Sequence, residues 1–217
     1  MRNSFGPTNP PSARNTGPHE IRQIVEPHIP NAGPVTAVRN VLLQSSLIEL
    51  KAAGFYERYE RLVAPEVLAE LTANLGPSWI PIETVLAHYD ACDRMNLSEA
   101  DFAKLGARVG DRVHSTVLVT TKKKPAEDFD LWKVEGPLHR MWGRVFQGGS
   151  IQVVKLGPKL KLVETRGMRL NRYHYYRQGH LAALRATHIA LGVDVTVMRV
   201  ESYDDVIDEM VVRVAWL

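Results

Sequence analysis

The side chains best suited to chemistry in this 217-residue chain are eight histidines, a single cysteine, a C-terminal group of carboxylates and a set of aromatic rings. The histidines are His19, His28, His88, His114, His139, His174, His180 and His188. No pair forms His-Glu-x-x-His or a comparable zinc spacing. His180 and His188 stand eight residues apart, about 12 Å along a helix axis, too far to share one ion without a bend. His88, Asp90 and Cys92 advance in steps of two, each of about 200°, which predicts different sides of one helix. No metal ligand is assigned. Ordinary buried or surface histidines with hydrogen-bond partners account for the pattern.

Cys92 stands beside Asp90 and Asp93. Neighbouring negative charge disfavours thiolate, so a buried structural thiol is expected rather than a nucleophile. No Gly-x-Ser-x-Gly elbow occurs, and no catalytic residue is assigned. "GARVGD" at Gly106–Asp111 lies in an amphipathic stretch, and "GGSIQ" follows Phe146 ahead of a strand. A phosphate loop would sit between a strand and a helix N-terminus. Asp204, Asp205, Asp208 and Glu209 surround a hairpin end, where solvation and turn formation are their expected tasks. The aromatic residues suggest a ligand instead: Trp142 and Phe146 on one helix, with Tyr175 and Leu181 on another, are expected to line an apolar pocket between helix and sheet. Ordinary core packing is the competing reading.

The elements that must position these residues follow from periodicity. Residues 1–34 carry more than half of the thirteen prolines and are read as a flexible tail, with a short helical turn possible at Glu20–Val25. A single domain is expected over 35–217. Helical spacing joins Leu42, Leu43, Leu47 and Leu50, then Val67, Leu68, Leu71 and Leu75, with Pro65 in the first turn. A third helix is marked by Trp79, Ile82, Val85, Leu86 and Tyr89. A fourth starts at Ser98, capped with Asp101, and turns Phe102, Leu105, Val109 and Val113 inward. Lys122–Asp130 reads as a loop. An amphipathic helix then runs through Leu131, Leu138, Met141, Trp142, Val145 and Phe146.

After Gly149 the period becomes two. Ser150–Leu156 and Lys159–Thr165 predict a hairpin, with Leu160 and Leu162 inside and Lys159 and Lys161 in water. Arg172–Leu191 returns to helix, and Val193–Val200 with Met210–Trp216 form a second hairpin. Val193, Val195 and Val197 are expected on one face, as are Val212, Val214 and Trp216. The fold class is therefore α+β: an N-terminal helical layer on a four-stranded antiparallel sheet made of two hairpins separated by a helix.

Composition is that of an ordinary globular protein, with 45% hydrophobic and 24% charged residues and a net charge of +3. One cysteine excludes an intrachain disulfide and a multi-thiolate zinc site. The absence of a signal-like N-terminus or a long apolar run makes the cytoplasm the expected location, without a membrane span. The basic residues Lys122–Lys124, Lys155, Lys159, Lys161, Arg166, Arg169, Arg172 and Arg177 lack interleaved aromatics, so nucleic acid is not an expected partner.

"GHLAALRATHIALGVDVTVMRVESYDD" and the final "MVVRVAWL" resemble the C-terminal half of 4-vinyl-reductase-like domains. These share a fold with transport-particle subunits and haem nitric-oxide sensor domains. "LGPSWIPIETVLAHYDA" and "FAKLGARVGDRV" are similar to the DUF2378 family known from myxobacteria, in which a Trp-x-Pro pair opens a helix, as Trp79 and Pro81 do here. The resemblance spans roughly 35–217. It implies helices on an antiparallel sheet, dimerisation through helices and often a buried apolar ligand. The clustered cysteines of the vinyl-reductase-like branch are missing, and so is the Tyr-x-Ser-x-Arg motif of the haem branch, for which "YHYYR" at Tyr173–Arg177 is no substitute. No ligand or catalytic residue is carried over. The expectation is a non-enzymatic sensing or scaffolding module, homodimeric, with a protein partner or a small apolar ligand. The alternatives are a carrier of haem or another small molecule and an enzyme with a dispersed polar site. No cofactor is assigned.

Overall fold

A computed structural model describes residues 22–73, 76–113, 132 and 138–217. Two antiparallel sheets and seven helices make up the described chain, beginning with β1 (Gln23–Glu26), β2 (Ala37–Arg39), α1 (Asn40–Ala52), α2 (Tyr56–Glu60) and α3 (Pro65–Ala73). Next come β3 (Trp79–Pro81), α4 (Ile82–Arg94), α5 (Glu99–Val113), α6 (Leu138–Val145) and β4 (Phe146–Gln147). The chain ends with β5 (Ser150–Gly157), β6 (Leu160–Arg166), a 3-10 turn at Arg169–Arg172, α7 (His174–Ala190), β7 (Val195–Asp204) and β8 (Glu209–Trp216).

The period-two region folds as the two expected hairpins, and β6 pairs with β8 to join them. The sheet nevertheless has five strands, ordered β1-β5-β6-β8-β7, rather than four. The extra strand comes from ahead of the expected domain start. Gln23 and Ile24 pair with Lys155 and Val154, so strand replaces the expected helical turn there. An ion pair anchors this segment, with Arg22 Nη2 3.0 Å from the buried carboxylate of Glu164. Four residues rich in β-formers need only a vacant edge to become a strand. The proline frequency around them hid that signal.

A second sheet, β3-β2-β4, was not expected. Trp79 and Phe146, read as helical, lie in it as strand residues, and α4 begins only at Ile82, after Pro81. Strands of two or three residues are too short to show a period, so an apolar residue beside a helix is easily assigned to that helix. The loop expected at Lys122–Asp130 and the early turns around Gly136 and Pro137 lie outside the described residues.

The layering also differs from expectation. The C-terminal α7 meets β7 and α6 meets β5, while α5 packs along α7 and α1 packs on α5. Two glycines explain how closely α5 and α7 approach. A Cβ on Gly106 would lie 2.7 Å from the Gln178 carbonyl carbon, and one on Gly110 would lie 2.6 Å from the Ala183 amide nitrogen. "GARVGD" is thus a helix seam, with the two glycines one turn apart on the same face. The predicted cap of α5 is present: Ser98 Oγ accepts from the Asp101 amide at 3.2 Å and donates to its carboxylate at 2.7 Å. Phe102, Leu105 and Val109 are buried beneath it, as their spacing requires.

The hairpin β5–β6 departs from a one-sided pattern. Lys161 is only 1% exposed; it shares the helix-facing side with Val163 and Val214, its Nζ 5.8 Å from the Trp216 ring centroid. The opposite face is buried too, at Val154, Leu156, Leu162 and Val211. Alternation reports which residues share a face but not whether the second face is covered. The edge strand β7 is interrupted by register shifts between Val195 and Val197 and between Val200 and Ser202. The first turns Val197 outward, 39% exposed, away from the face of buried Val195. Such bulges, with charged Arg199 and Glu201, blunt an edge against pairing with another strand.

Candidate functional site

The four residues expected to line a pocket are split between two places. Trp142 and Phe146 pack ring to ring, centroids 4.5 Å apart, and Trp142 Nε1 donates to the Gly148 carbonyl at 2.9 Å. Tyr175 lies elsewhere, its ring near those of Tyr89 and Phe102 and its hydroxyl 3.0 Å from Ser46 Oγ. Trp142, Phe146 and Tyr175 are each less than 10% exposed, and Leu181 is half-buried against the same continuous core.

Tyr175 leads to the most organised polar group in the interior. His88 accepts or donates on both ring nitrogens: Nδ1 is 2.7 Å from Tyr59 Oη and Nε2 is 2.9 Å from Ser46 Oγ. Cys92 Sγ lies 3.7 Å from the same Nε2. His88 and Cys92 therefore share one side of α4 rather than lying on different sides. Two steps of about 200° return to within about 40° of the start, so residues four apart share a face and only Asp90 points away. The chain Tyr59–His88–Ser46–Tyr175 joins α2, α4, α1 and α7.

In outline Ser46, His88 and Tyr59 match a nucleophile, a base and an orienting group. Their environment works against that use. Ser46, His88 and Tyr59 are all fully buried, and burial pushes the His88 imidazole down to about 3. A general base works best with a pKa near the operating pH. Burial also raises the Cys92 thiol, the Asp93 charge raises it further, and its hydrogen bond with Ser46 opposes them more weakly. These groups form a satisfied polar clasp between helices, neutral at physiological pH. Cys92 in the native protein is therefore expected to resist a thiol reagent such as Ellman's at pH 7.5 and to react only as the protein unfolds. Stoichiometric labelling within minutes would show that the clasp is open to solvent.

Asp93 has a task that spacing did not reveal. Its two carboxylate oxygens accept from the amides of His174 (2.7 Å) and Tyr175 (2.9 Å). A residue distant in sequence thus caps α7, satisfying orphan donors and placing negative charge at its N-terminus. Among the described residues no group of three or more His, Cys, Asp or Glu side chains is arranged to hold a metal ion.

The surface offers two features that composition did not predict. At the β7–β8 turn, Val206 is 87% and Ile207 53% exposed. Asp204 Oδ1 accepts from both their amides, at 2.9 and 3.3 Å, which holds the two apolar side chains outward on a fixed turn. Arg172 and Arg166 bind Asp208 and Glu209, so ion pairs brace the base of the tip. A cleft of about 220 Å³ lies between α1 and α5, lined by Ala52, Ala53, Phe55, Leu105 and the charged Asp101, Lys104 and Arg108.

No protein-family model, curated protein or solved structure matches the chain. Among the described residues no helix is long and apolar enough to cross a membrane.

Proposed function

We propose that this chain is a non-enzymatic scaffolding or sensing module that acts by associating with itself. The observation carrying this reading is the β7–β8 tip, where two branched apolar side chains are held in solvent by a braced turn. Exposed aliphatic side chains cost little singly, but a rigid pair loses little entropy when it enters a partner. The sealed state of the Ser46–His88–Tyr59 clasp favours an architectural role over turnover. Kinship with 4-vinyl-reductase-like domains and the DUF2378 family belongs to the same proposal, supported by the order hairpin, helix, hairpin after the N-terminal helices.

The test is sedimentation velocity of the full chain from low micromolar to several hundred micromolar. A concentration-dependent rise from monomer to a defined oligomer is expected. A strict monomer across that range overturns self-association.

A further inference from the structure

We infer that self-association exchanges β1 between two copies, the strand of each pairing with the β5 edge of the other. This rests on the self-association proposed above and gives it a defined contact, on the sheet edge opposite β7. The β5 edge is a built acceptor for an extended segment, and its intramolecular occupant shows what fits. Gln23 and Ile24 pair with Lys155 and Val154. Beside them Glu164 is 3% exposed, with Arg22 Nη2 3.0 Å from its Oε1 and Gln152 Nε2 donating to its Oε2 at 2.9 Å. At the far end of the strand His28 Nδ1 lies 2.7 Å from Oγ of buried Ser150, and the His28 amide donates to Gln152 Oε1 at 3.3 Å. A buried carboxylate stripped of its cation is strongly destabilising, so the edge selects a strand led by arginine. A second copy of this chain carries that strand.

The segment after β1 has the properties of a hinge. Beyond it the chain is fixed: the Gly33 carbonyl accepts from the Gly149 amide at 2.7 Å, and the Val35 amide donates to the Gly167 carbonyl at 2.8 Å. In between, the chain reverses at Pro30 and Asn31, closed by the Ala32 amide donating to the Ile29 carbonyl at 3.3 Å. Residues 29–32 are all exposed, and Asn31 holds a φ of 57°. Residues other than glycine adopt that left-handed conformation infrequently. Straightening the turn thus gives up one long hydrogen bond and releases a left-handed residue. Extended, residues 27–32 span about 20 Å, enough to carry β1 away from its own sheet. The exchanged strand makes the same contacts in its new place, and a reciprocal exchange closes as a two-fold dimer. The other edge, β7, is blunted by two register shifts and disfavours strand addition.

The test mixes two full-length variants, Gln23→Cys and isotope-labelled Lys155→Cys, whose altered positions face each other across β1 and β5. Directly opposed strand positions lie within reach of a disulfide. The mixture is held at several hundred micromolar, oxidised and weighed by mass spectrometry. A disulfide dimer of one labelled and one unlabelled chain is expected in at least tenfold excess over same-variant dimers, because exchange brings the two thiols together. The double variant Gln23→Cys/Lys155→Cys controls for pairing: its thiols are expected to close within one chain at low micromolar and between chains at high concentration. Asn31→Pro, whose fixed φ forbids the turn, is expected to tighten association at least tenfold by sedimentation velocity. Absence of the mixed dimer, or no gain from Asn31→Pro, while the wild-type protein associates overturns the exchange and leaves self-association standing. A double variant that closes in neither way overturns the β5 acceptor itself. A monomeric wild-type protein overturns both proposals.

Discussion

Gly110→Ala is expected to destabilise the protein by about 1–3 kcal/mol, the usual cost of overpacking a tight interface. The direction is informative because the same change at an exposed helical position stabilises by about 1 kcal/mol. At Gly110 the new methyl would meet the Ala183 amide nitrogen at 2.6 Å and the Ala182 carbonyl carbon at 2.7 Å. Both are backbone atoms of α7, so no rotamer change relieves the contact and the two helices must separate. Gly106→Ala should behave similarly against Gln178 and Gly179. The two effects will not add, because one helix displacement relieves both. Gly143 in α6 is the internal control: a Cβ there meets nothing within 4 Å, so Gly143→Ala should leave stability unchanged or raise it. Urea unfolding of the three variants measures the contrast. A Gly110→Ala protein as stable as Gly143→Ala would show that the α5–α7 seam is looser than described.

Acid is expected to unfold the protein well above the range where carboxylates titrate. His88 is held down to about 3 by burial, and His188 to about 4 by burial first and the charge of Lys161 next. His188 keeps its proton on Nδ1, which donates to the Leu184 carbonyl at 2.6 Å, while its Nε2 is buried. His180 is displaced to about 4 by burial as well. In the unfolded chain these imidazoles titrate near 6.5, so the unfolded state takes up protons first as pH falls. Their contribution is complete above about pH 6.5 and is lost between there and the folded values, at about 1.4 kcal/mol per pH unit for each group. By pH 5 that is about 2 kcal/mol each, a large share of a typical total of about 5–15 kcal/mol. The midpoint of urea unfolding should therefore fall steadily from pH 7 to pH 5. Imidazole proton resonances of native His88 that titrate near pH 6.5 would contradict this, since they would report a hydrated ring.

Parts of this structure were legible in advance for identifiable reasons. The N-terminal cap of α5, the buried row Phe102, Leu105 and Val109, and the two C-terminal hairpins follow from local chemistry repeated over a turn or a strand. The burial expected of Cys92 was also readable, and that burial, more than the charge of Asp93, raises its thiol. Other features carried no local signal. Nothing near Asp93 indicates that it caps a helix 81 residues away, and nothing near Ser46 announces Tyr175, 129 residues on. The glycines at 106 and 110 were visible, but their meaning depends on which helix lies across them.

By itself the sequence determined the class of this protein, because amphipathic period and turn chemistry act over a few residues and survive in any tertiary setting. It also indicated which residues share a face, except where a bulge turns Val197 outward and where two steps of two bring Cys92 back beside His88. Tertiary structure alone decided which faces are covered, burying Lys161 beside valines and drawing Gln23–Glu26 onto a sheet edge. It likewise sealed the His88 clasp and left Val206 and Ile207 in solvent. Burial and long-range hydrogen bonding depend on what lies opposite, and that partner is set by the path of the whole chain.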